Sequence, residues 1–396
     1  MAEFTKAWSA AAGLARARDG FAAQFGHPPA AVYSAPGRVN LIGEHIDYHA
    51  GPCLPIALPH RTYVALSPDA ADAVSLASAA ASPWQTCLSD VTPGALTGWG
   101  AYPAGVAWAL AQQGLQVGGF RGYVDSCVPV GAGLSSSAAL ECAFALGLND
   151  LADQPWPDNG ASRQAMAKAS AVAENQIVGA ATGQMDQFIA MLATEGHALL
   201  VDFATDQTTP VSFDLTAHGL ELLVIDTRAS HQLADGQYDA RRAQGEAAAK
   251  ALGQPLVSIG MEQLAGALAR LSDPMLRQRT RHVVSEVDRV HQTVAALQRG
   301  DFRLVGQLLD ASHASLRDDY QVSCPELDQA VASAKRAGAL GARLTGGGFG
   351  GSAIALIDAA LIETAADQVA ADFAGRGWGS PAFLLAKPSG PARREA

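Results

Sequence analysis

Predicted helices and strands follow one another in an irregular order, which excludes a regular βαβ fold. Hydrophobic periodicity predicts strands at 31–35, 61–67, 119–125, 198–203, 220–226, 342–345, 352–357 and 382–386. It predicts helices at 3–25, 102–113, 162–178, 235–252, 274–298, 301–317, 325–337 and 359–375, and one more that ends near residue 148. Because helices and strands do not alternate strictly, the pattern predicts an α+β protein.

The chain has 396 residues, which is enough for two domains of about 150 residues or more each. The polar run Thr205–Thr209 is the expected boundary, giving an N-terminal domain at 1–205 and a C-terminal domain at 206–396. We expect the terminal segment Pro388–Ala396 to be frayed. Apolar residues make up 49% of the chain, which is enough to fill two cores and argues against disorder.

The charge of the chain argues against a polyanionic partner. There are 27 basic and 38 acidic residues, a formal charge of −11, and no run of more than two Lys or Arg residues. We therefore expect no nucleic acid partner, although a small anionic substrate needs only one or two local cations. The residues up to Phe25 lack the apolar core of a signal peptide, and no apolar run approaches the roughly 18 residues of a membrane span. The five cysteines form no C-x-x-C pair, and we expect a cytoplasmic protein without a membrane partner.

A segment rich in Gly and Ser, Pro129–Glu141, leads directly into an apolar helix. Gly131 and Gly133 allow the backbone to approach a ligand closely. The run Ser135–Ser137 falls at the helix N-terminus, where free N–H groups favour an anion. The pattern G-x-x-x-x-G-K-[ST] is absent, so this would be a phosphate loop without lysine. A plain serine cap is the alternative, but one cap does not need three serines.

Charged residues are concentrated after the first predicted strand. Glu44, His45 and Asp47 offer two carboxylates and an imidazole within four residues. This set suits hydroxyl groups, because carboxylates accept hydrogen bonds and histidine donates them. Arg38 could bind a phosphate or lower the pKa of a neighbouring acid. A solvated loop is one alternative, and a metal site made by His45, Asp47 and His49 is another.

A third segment, Gly346–Gly351, consists of glycine except for Phe349 and contains G-x-G-x-x-G. In a Rossmann fold a helix follows these glycines, whereas Ser352–Ile357 has the pattern of a strand. The segment is therefore predicted to be a glycine-rich hairpin that lies against a substrate or a phosphate. A flexible turn is the alternative.

One acid, Asp186, lies in the otherwise uncharged stretch Gly183–Phe188, and Glu174 lies twelve residues earlier on a predicted helix. A carboxylate in such surroundings can act as a base if it faces a cleft. Taken alone, Asp186 is better explained as the N-cap of a helix.

Together these segments resemble the GHMP small-molecule kinases and, within them, the galactokinases. The resemblance lies in Arg38–Tyr48, Pro129–Ala138, Gly183–Phe188, Leu316–Leu327 and Leu344–Gly351, in the order of that family. It implies an N-terminal domain like domain 2 of ribosomal protein S5, a ferredoxin-like C-terminal domain, and a site between them. It also implies transfer of a phosphoryl group from ATP, with Mg²⁺ as cofactor, to the anomeric hydroxyl of D-galactose, giving α-D-galactose 1-phosphate and ADP.

The resemblance implies a role for each motif residue. Asp186 would be the general base, and Arg38 would keep it ionised and stabilise the transferring phosphoryl group. The sugar hydroxyls would be bound by Glu44, His45, Asp47, Gly183 and Tyr238. The ATP phosphates would be bound by Gly131, Ala132, Gly133, Leu134, Ser135, Ser136 and Ser137. Mg²⁺ would be held by Ser137 and Glu174, with Ser136 as the alternative serine. The implied partners are D-galactose and ATP, and the implied state is a monomer.

Three features depart from the usual galactokinase pattern. Ile46 stands where many galactokinases have Thr, the pair His49–Ala50 replaces a frequent Asn-Gly type pair, and Ser352 replaces a frequent Cys. The first two leave the sugar open, so a kinase for N-acetylgalactosamine or another sugar is the alternative, whereas a mevalonate-type kinase fits the hydroxyl-binding cluster less well. A non-catalytic sugar sensor is an alternative of another class, but it would be expected to have lost part of the set that includes Asp186 and Arg38.

Overall fold

The computed structural model describes residues 2–69, 72–180, 182–229 and 236–396. The strands are β1 (Glu3–Phe4), β2 (Ala31–Asn40), β3 (Pro52–Cys53), β4 (Pro55–Pro68), β5 (Ala73–Ser78), β6 (Trp84–Cys87), β7 (Phe120–Ser126), β8 (His197–Asp202), β9 (Gln207–Ser212), β10 (Leu220–Asp226), β11 (Gly341–Thr345), β12 (Ser352–Asp358), β13 (Ala382–Leu385) and β14 (Arg393–Arg394). The α-helices are α1 (Ala10–Phe25), α2 (Ala101–Gln112), α3 (Ser136–Leu151), α4 (Gly160–Ala173), α5 (Met185–Leu192), α6 (Gln237–Leu252), α7 (Met261–Arg270), α8 (Pro274–Gln298), α9 (Phe302–Ser315), α10 (Pro325–Arg336) and α11 (Ile362–Gly375).

The strands form three sheets, and the predicted α+β class is confirmed. A six-stranded sheet has the order β14-β2-β4-β7-β5-β6, and a five-stranded sheet has the order β1-β13-β10-β12-β11. A small third sheet has the order β3-β8-β9. Most neighbours are antiparallel, but β5 pairs with β7 and β1 with β13 in parallel. The expected boundary near residue 205 falls in the turn between β8 and β9.

Each large sheet has its own hydrophobic core. One cluster joins β2, β4 and β7 to α2–α5, with Phe144, Phe188 and Leu110 fully buried. The other joins β10–β13 to α8–α11, with Leu316, Val283 and Phe373 fully buried. Burial of such side chains stabilises the fold by roughly 1.5–3 kcal/mol each, so both halves have a substantial core of their own.

The strand β2 is longer than its sequence pattern predicts. All ten residues of Ala31–Asn40 are buried, because the strand lies between β4 and β14 with its faces covered. A strand buried on both faces has no alternation of polar and apolar residues to reveal it. The register shifts between Pro36 and Arg38, and this bulge re-aims the chain where the charged segment begins.

Two expectations about the chain ends are wrong. The first helix begins at Ala10 rather than at residue 3, because Ser9 caps it by accepting a hydrogen bond from the N–H of Ala12, while β1 pairs with β13. The segment 388–396 is not frayed. Its β14 pairs with β2, the N–H of Ala392 donates to the Ala190 carbonyl over 2.7 Å, and Arg61 donates to the Pro391 carbonyl over 2.6 Å.

Most other predicted elements are found with small shifts at their ends, although β4 begins at Pro55, six residues before its predicted start. The elements β5, β6 and β9, and also β3, α5 and α7, were not predicted. The first three are short and rich in Ser, Thr and Gln, so their apolar periodicity is weak. Residue 235, the predicted start of the sixth helix, lies outside the described residues. No helix in the described part of the chain is long and apolar enough to cross a membrane.

Two helices end in a π-helical turn, and both turns reach the same region. The turn Glu174–Val178 continues α4, and the turn Leu316–Tyr320 continues α9. A π turn changes the direction of the side chains at a helix end and is frequent at functional sites. Here one turn places Glu174 in the same cavity as Asp47, and the other places the hydroxyl of Tyr320 3.1 Å from that of Tyr48.

Candidate active site

One cavity of about 230 Å³ collects residues that the sequence singled out. It is lined by Arg38, Glu44, His45, Asp47, Glu174, Thr182, Gly183, Met185, Asp186, Gln187, Tyr238, Gly346 and Gly347. The set holds both expected catalytic residues, all five expected sugar ligands and one of the two expected metal ligands. The cavity lies between the six-stranded and the five-stranded sheets, since β2, α5, α6 and the turn between β11 and β12 all contribute to it.

Arg38 and Asp186 form a bidentate ion pair at the wall of this cavity. Arg38 Nε donates to Asp186 Oδ1 over 2.7 Å, and Nη2 donates to Oδ2 over 2.9 Å. The remaining nitrogen, Nη1, donates to the Gly133 carbonyl over 2.6 Å. Burial on its own would lower the pKa of Arg38, but the negative charges of Asp186, Glu44 and Asp47 raise it. The guanidinium is therefore a fixed positive charge between Asp186 and the segment Pro129–Ser137, which we call the Gly-Ser loop.

Asp186 keeps one free acceptor position toward the cavity. Its carboxylate offers about four lone-pair sites, and three are used by Arg38 Nε, by Arg38 Nη2 and by the hydroxyl of Ser135. The Asp186 side chain is 27% exposed, whereas that of Arg38 is 7% exposed. Asp186 lies in the first turn of α5 and Gln184 occupies the N-cap position, so the interpretation of Asp186 as an N-cap is wrong.

Glu44 is a buried carboxylate, and one of its oxygens, Oε1, is bound by other groups of the protein. Its Oε1 accepts a hydrogen bond from the Gly346 N–H over 2.7 Å and lies 3.1 Å from Arg343 Nη2. Among the described residues, the contacts found for this carboxylate all fall on Oε1. Its Oε2 is thus left for a ligand in the cavity. The burial of Glu44 and His45 excludes the solvated-loop alternative.

The ring of His45 has both nitrogens engaged within the protein. Nε2 lies 3.1 Å from the Gly347 carbonyl, which can only accept, so Nε2 carries the proton. Nδ1 is then the acceptor for the hydroxyl of Tyr48 at 2.8 Å. Burial lowers the pKa of His45 to about 3, so the ring is neutral. The ring lines the cavity but has no free nitrogen for a sugar hydroxyl, contrary to the donor role that the sequence indicates.

Asp47 sits where its charge is unfavourable. Burial above all, and then the negative charges of Asp186 and Glu44, raise its pKa to about 6, although it accepts hydrogen bonds from the backbone N–H groups of Tyr48 and Met185. Gly183 lies directly against it. A Cβ at position 183 would come within 1.5 Å of Asp47 Oδ2, so any side chain there would have to displace the Asp47 carboxylate.

Aromatic rings close one side of the cavity. The ring centroid of Tyr238 lies 5.2 Å from that of His45 and 5.5 Å from that of Tyr48. Burial raises the pKa of Tyr238 well above its ordinary value, so its hydroxyl keeps its proton and can donate. The hydroxyl of Tyr320 lies 3.1 Å from that of Tyr48 and extends the chain of hydrogen bonds that begins at His45. Tyr48 and Tyr320 lay inside recognised segments, but their neighbours in space could not be read from the sequence.

Glu174 and Ser137 form a small set of oxygen ligands. Glu174 is buried and accepts hydrogen bonds from Thr182 and Gln187 on Oε2, over 2.9 and 2.8 Å, and another from the hydroxyl of Ser137. Burial and the charge of Asp186 raise its pKa, because no basic side chain among the described residues pairs with it. A hard cation such as Mg²⁺ would neutralise this carboxylate, so the donor set fits it.

The Gly-Ser loop does not itself line the cavity but contacts two residues that do, since Gly133 binds Arg38 and Ser135 binds Asp186. Ala132 and Leu134 are buried, so their side chains point into the core. Ser135 has a left-handed backbone (φ 59°), which is uncommon for serine, and its hydroxyl donates to Asp186 Oδ2. The helix α3 begins at Ser136, which places the expected anion site at a helix N-terminus. Across the described residues, no group of three or more His, Cys, Asp or Glu could hold a metal, so the alternative of a site with His45, Asp47 and His49 is wrong.

The third glycine segment is a hairpin, as predicted. Its flanking strands β11 and β12 pair antiparallel with Thr345 opposite Ser352, so the Rossmann alternative is excluded. Its backbone contacts Glu44 through the N–H of Gly346 and His45 through the carbonyl of Gly347. Ser352 Oγ donates to the Ala132 carbonyl over 2.6 Å and ties the hairpin to the Gly-Ser loop. Ile46 is fully buried in the core and does not line the cavity.

Comparisons with known proteins agree with this geometry. Family models described as the GHMP kinases N terminal domain and the GHMP kinases C terminal match residues 101–194 and 293–375, so fold and site define a kinase of the GHMP class. The galactokinase galactose-binding signature matches residues 19–68. Galactokinase of Streptomyces coelicolor is 45% identical over 93% of this chain and 95% of its own, and that of Mycobacterium tuberculosis is 44% identical over 88% and 95%. The chain therefore belongs to the galactokinase family and is an enzyme, a sugar kinase.

Solved structures extend the comparison to the fold. The galactokinase of Lactococcus lactis, solved in complex with galactose, is 29% identical with a TM-score of 0.89, covering 95% of this chain and 98% of that one. Mevalonate kinase of Methanococcus jannaschii is 15% identical with a TM-score of 0.63, covering 91% and 98%. The second likeness shows the shared GHMP fold alone. The two-domain GHMP fold expected from the sequence is confirmed.

Proposed function

We propose that this enzyme transfers the γ-phosphoryl group of ATP to the anomeric hydroxyl of D-galactose, giving α-D-galactose 1-phosphate and ADP. The observation that carries the proposal is the Arg38–Asp186 pair at the wall of a buried cavity lined by hydroxyl-binding groups. The assignment to the galactokinase family supports the sugar and ATP as substrates.

Asp186 is the general base in this proposal. Its free acceptor position on Oδ1 takes the proton from the anomeric hydroxyl as the sugar oxygen attacks the γ-phosphorus, while the bond to the ADP oxygen breaks. Arg38 pairs with the carboxylate form of Asp186 and holds it in place through the two-bond fork. The same positive charge stabilises the transferring group, since phosphoryl transfer depends mostly on positioning and charge neutralisation.

Four residues would bind the sugar hydroxyls directly. Glu44 Oε2 and the Asp47 carboxylate are acceptors, the Tyr238 hydroxyl is a donor, and Gly183 lets the sugar approach the backbone. We propose that Asp47 recognises the hydroxyl at C4, the group that distinguishes galactose from glucose. His45 acts differently from the other four: its ring holds Gly347 and Tyr48 in place and shapes the cavity.

The ATP phosphates would lie on the backbone of Gly131–Ser137, at the N-terminus of α3. Ser137 and Glu174 would hold Mg²⁺ together with the phosphates, because the described residues supply too few ligands for a cage of their own. When bound, the cation neutralises charge on the phosphates. Arg38 would add a fixed positive charge between the Gly133 carbonyl and Asp186.

We also infer a monomer that works in the cytoplasm. The cavity is complete within one chain, so no second copy is needed to build it. The five cysteines are unpaired, as is usual in a reducing compartment. Light scattering on the purified protein tests the first point: a stable dimer at assay concentration would contradict it.

An assay of ADP release over a panel of substrates tests the proposed reaction. The panel contains galactose, glucose, N-acetylgalactosamine and mevalonate, each with Mg²⁺ and ATP. We expect turnover with galactose and little with the others. If N-acetylgalactosamine were turned over faster than galactose, the proposal of galactose as the substrate would be wrong. Galactose binding by calorimetry without any ADP release would indicate a non-catalytic sensor.

A further inference from the structure

Two buried polar residues are connected to Glu174 by hydrogen bonds. Glu141 on α3 and Gln187 on α5 are both fully buried. Gln187 Nε2 donates to Glu141 Oε2 over 3.0 Å and to Glu174 Oε2 over 2.8 Å. Both hydrogens of the amide are thus used, one toward each carboxyl group. Gln187 therefore links Glu141 to Glu174, the residue that we assign to Mg²⁺.

Two atoms of this pair have no partner among the described residues. They are Glu141 Oε1 and Gln187 Oε1, both fully buried and both acceptors when Glu141 is ionised. Buried polar atoms are nearly always hydrogen-bonded. A single proton on Glu141 Oε1, donated to Gln187 Oε1, would satisfy both atoms at once. The acid and the amide are then joined by two parallel hydrogen bonds.

We propose that Glu141 is a neutral carboxylic acid in a two-bond pair with Gln187, and that this pair is a positioning device for Glu174. The pair fixes the amide plane, and the fixed amide directs its second N–H to Glu174 Oε2. The surroundings agree with the proposal, since burial and then the charge of Glu174 raise the pKa of Glu141 well above its ordinary value. The assignment of Glu174 to Mg²⁺ rests on the proposed function, whereas the acid–amide pair does not.

Two substitutions at position 141 separate the hydrogen bonds from the volume. Glu141→Gln keeps one donor for Gln187 Oε1 and one acceptor for Gln187 Nε2, so it is the matched control. Glu141→Met has a similar volume but offers neither bond, and the amide of Gln187 can then turn away from Glu174. Loss of such an outer partner of a metal ligand typically weakens metal binding roughly 10- to 100-fold.

The first test measures Mg²⁺ dependence in two ways: the half-saturating Mg²⁺ concentration for turnover, and Mg²⁺-dependent binding of a non-hydrolysable ATP analogue by calorimetry. We expect Glu141→Met to weaken both by about 10-fold or more, in the same direction as we expect for Glu174→Gln, while galactose affinity is unchanged. Glu141→Gln should stay close to the wild type. A Glu141→Met variant with wild-type Mg²⁺ dependence, or a Glu141→Gln variant as impaired as Glu141→Met, would overturn the positioning role.

The second test needs neither metal nor substrate. Difference infrared spectroscopy at pH 7 between the wild type and Glu141→Gln should show the carbonyl stretch of one neutral carboxylic acid in the wild type only. Absence of that band would overturn the acid–amide pair even if Glu141→Met fails to fold. If the wild type phosphorylated no sugar, the proposed function would fail, but the infrared result would still decide the pair.

Discussion

The guanidinium of Arg38 grips both carboxylate oxygens of Asp186 and, with its third nitrogen, the Gly133 carbonyl of the Gly-Ser loop. One side chain thereby joins the proposed base to the proposed phosphate site. A planar fork can make these bonds in a fixed geometry, which a single ammonium group cannot. Two substitutions examine the two ends of this pair separately.

Asp186→Asn keeps the shape of the side chain but removes the base. We expect kcat to fall by about 10²–10⁴-fold, the usual contribution of a general base, while galactose still binds. Steady-state kinetics and calorimetry with galactose measure the two effects. Asp318→Asn is the matched control, because Asp318 also pairs with an arginine, Arg317, but at the exposed surface. A wild-type kcat in Asp186→Asn would remove Asp186 from the proposed role.

Arg38→Lys retains the positive charge and loses the fork. We expect kcat/KM to fall by roughly 10²–10³-fold, as when one fixed donor of a transition state is lost. The control is Arg18→Lys, which alters an exposed pair with Asp19 and should leave turnover unchanged. If Arg38→Lys were as active as that control, charge alone would suffice and the two-bond geometry would be irrelevant.

Gly183→Ala tests the close contact with Asp47. The added methyl group would have to displace the carboxylate, because its Cβ would come within 1.5 Å of Oδ2. A displacement of about 1 Å near a reacting centre can cost on the order of 10²-fold, so we expect a loss of that size in kcat/KM for galactose. Gly266→Ala on α7 is the control, since nothing lies within 4 Å of its Cβ position. Equal activity of the two variants would show that Asp47 is free to move.

The sequence indicated most of this site because its residues fall in compact motifs. Arg38, Glu44 and Asp47 lie in one segment, and the serines of the Gly-Ser loop predict a helix N-terminus. The sequence could not indicate contacts between residues that are distant along the chain. The buried Arg343 reaches Glu44 from β11, and only the unusual charge within an apolar strand marked it.

The direct role given to the His45 ring shows the other limit of sequence reasoning. The residue type is right for hydroxyl binding, but its two ring nitrogens face Gly347 and Tyr48, which lie on different segments. Hydrogen bonds already used inside the protein can be found only from coordinates. The expectation that segment 388–396 is frayed was wrong for the same reason, since its partners on β2, β4 and α5 are distant in sequence.

Asp47→Asn should stabilise the free enzyme at neutral pH. Burial and neighbouring charges raise the pKa of Asp47 from 3.8 to about 6, so the folded state binds this proton more tightly than the unfolded state. The stability that the protonated form contributes is present below the ordinary pKa and is lost as the pH rises through about 6. The substitution removes this loss. Melting temperatures from pH 4 to pH 8 should show an advantage of Asp47→Asn that grows with pH; a constant difference would contradict the shifted pKa.

We expect Asp47 to distinguish galactose from glucose. Galactose and glucose differ in the direction of one hydroxyl, at C4. If Asp47 accepts a hydrogen bond from that hydroxyl, an analogue that lacks it leaves a buried carboxylate without its partner and binds poorly. Glucose should therefore be a very poor substrate.

Asp47→Ala distinguishes this recognition from a merely structural role. Direct recognition predicts that the substitution lowers kcat/KM for galactose much more than for 4-deoxygalactose, because the latter already lacks the partner group. A role confined to ordering the loop that contains Asp47 predicts equal losses for both sugars. The ratio of the two losses, measured in the ADP-release assay, is the coupling between Asp47 and the C4 hydroxyl. A ratio of one would refute recognition at C4 and would leave the assignment as a sugar kinase intact.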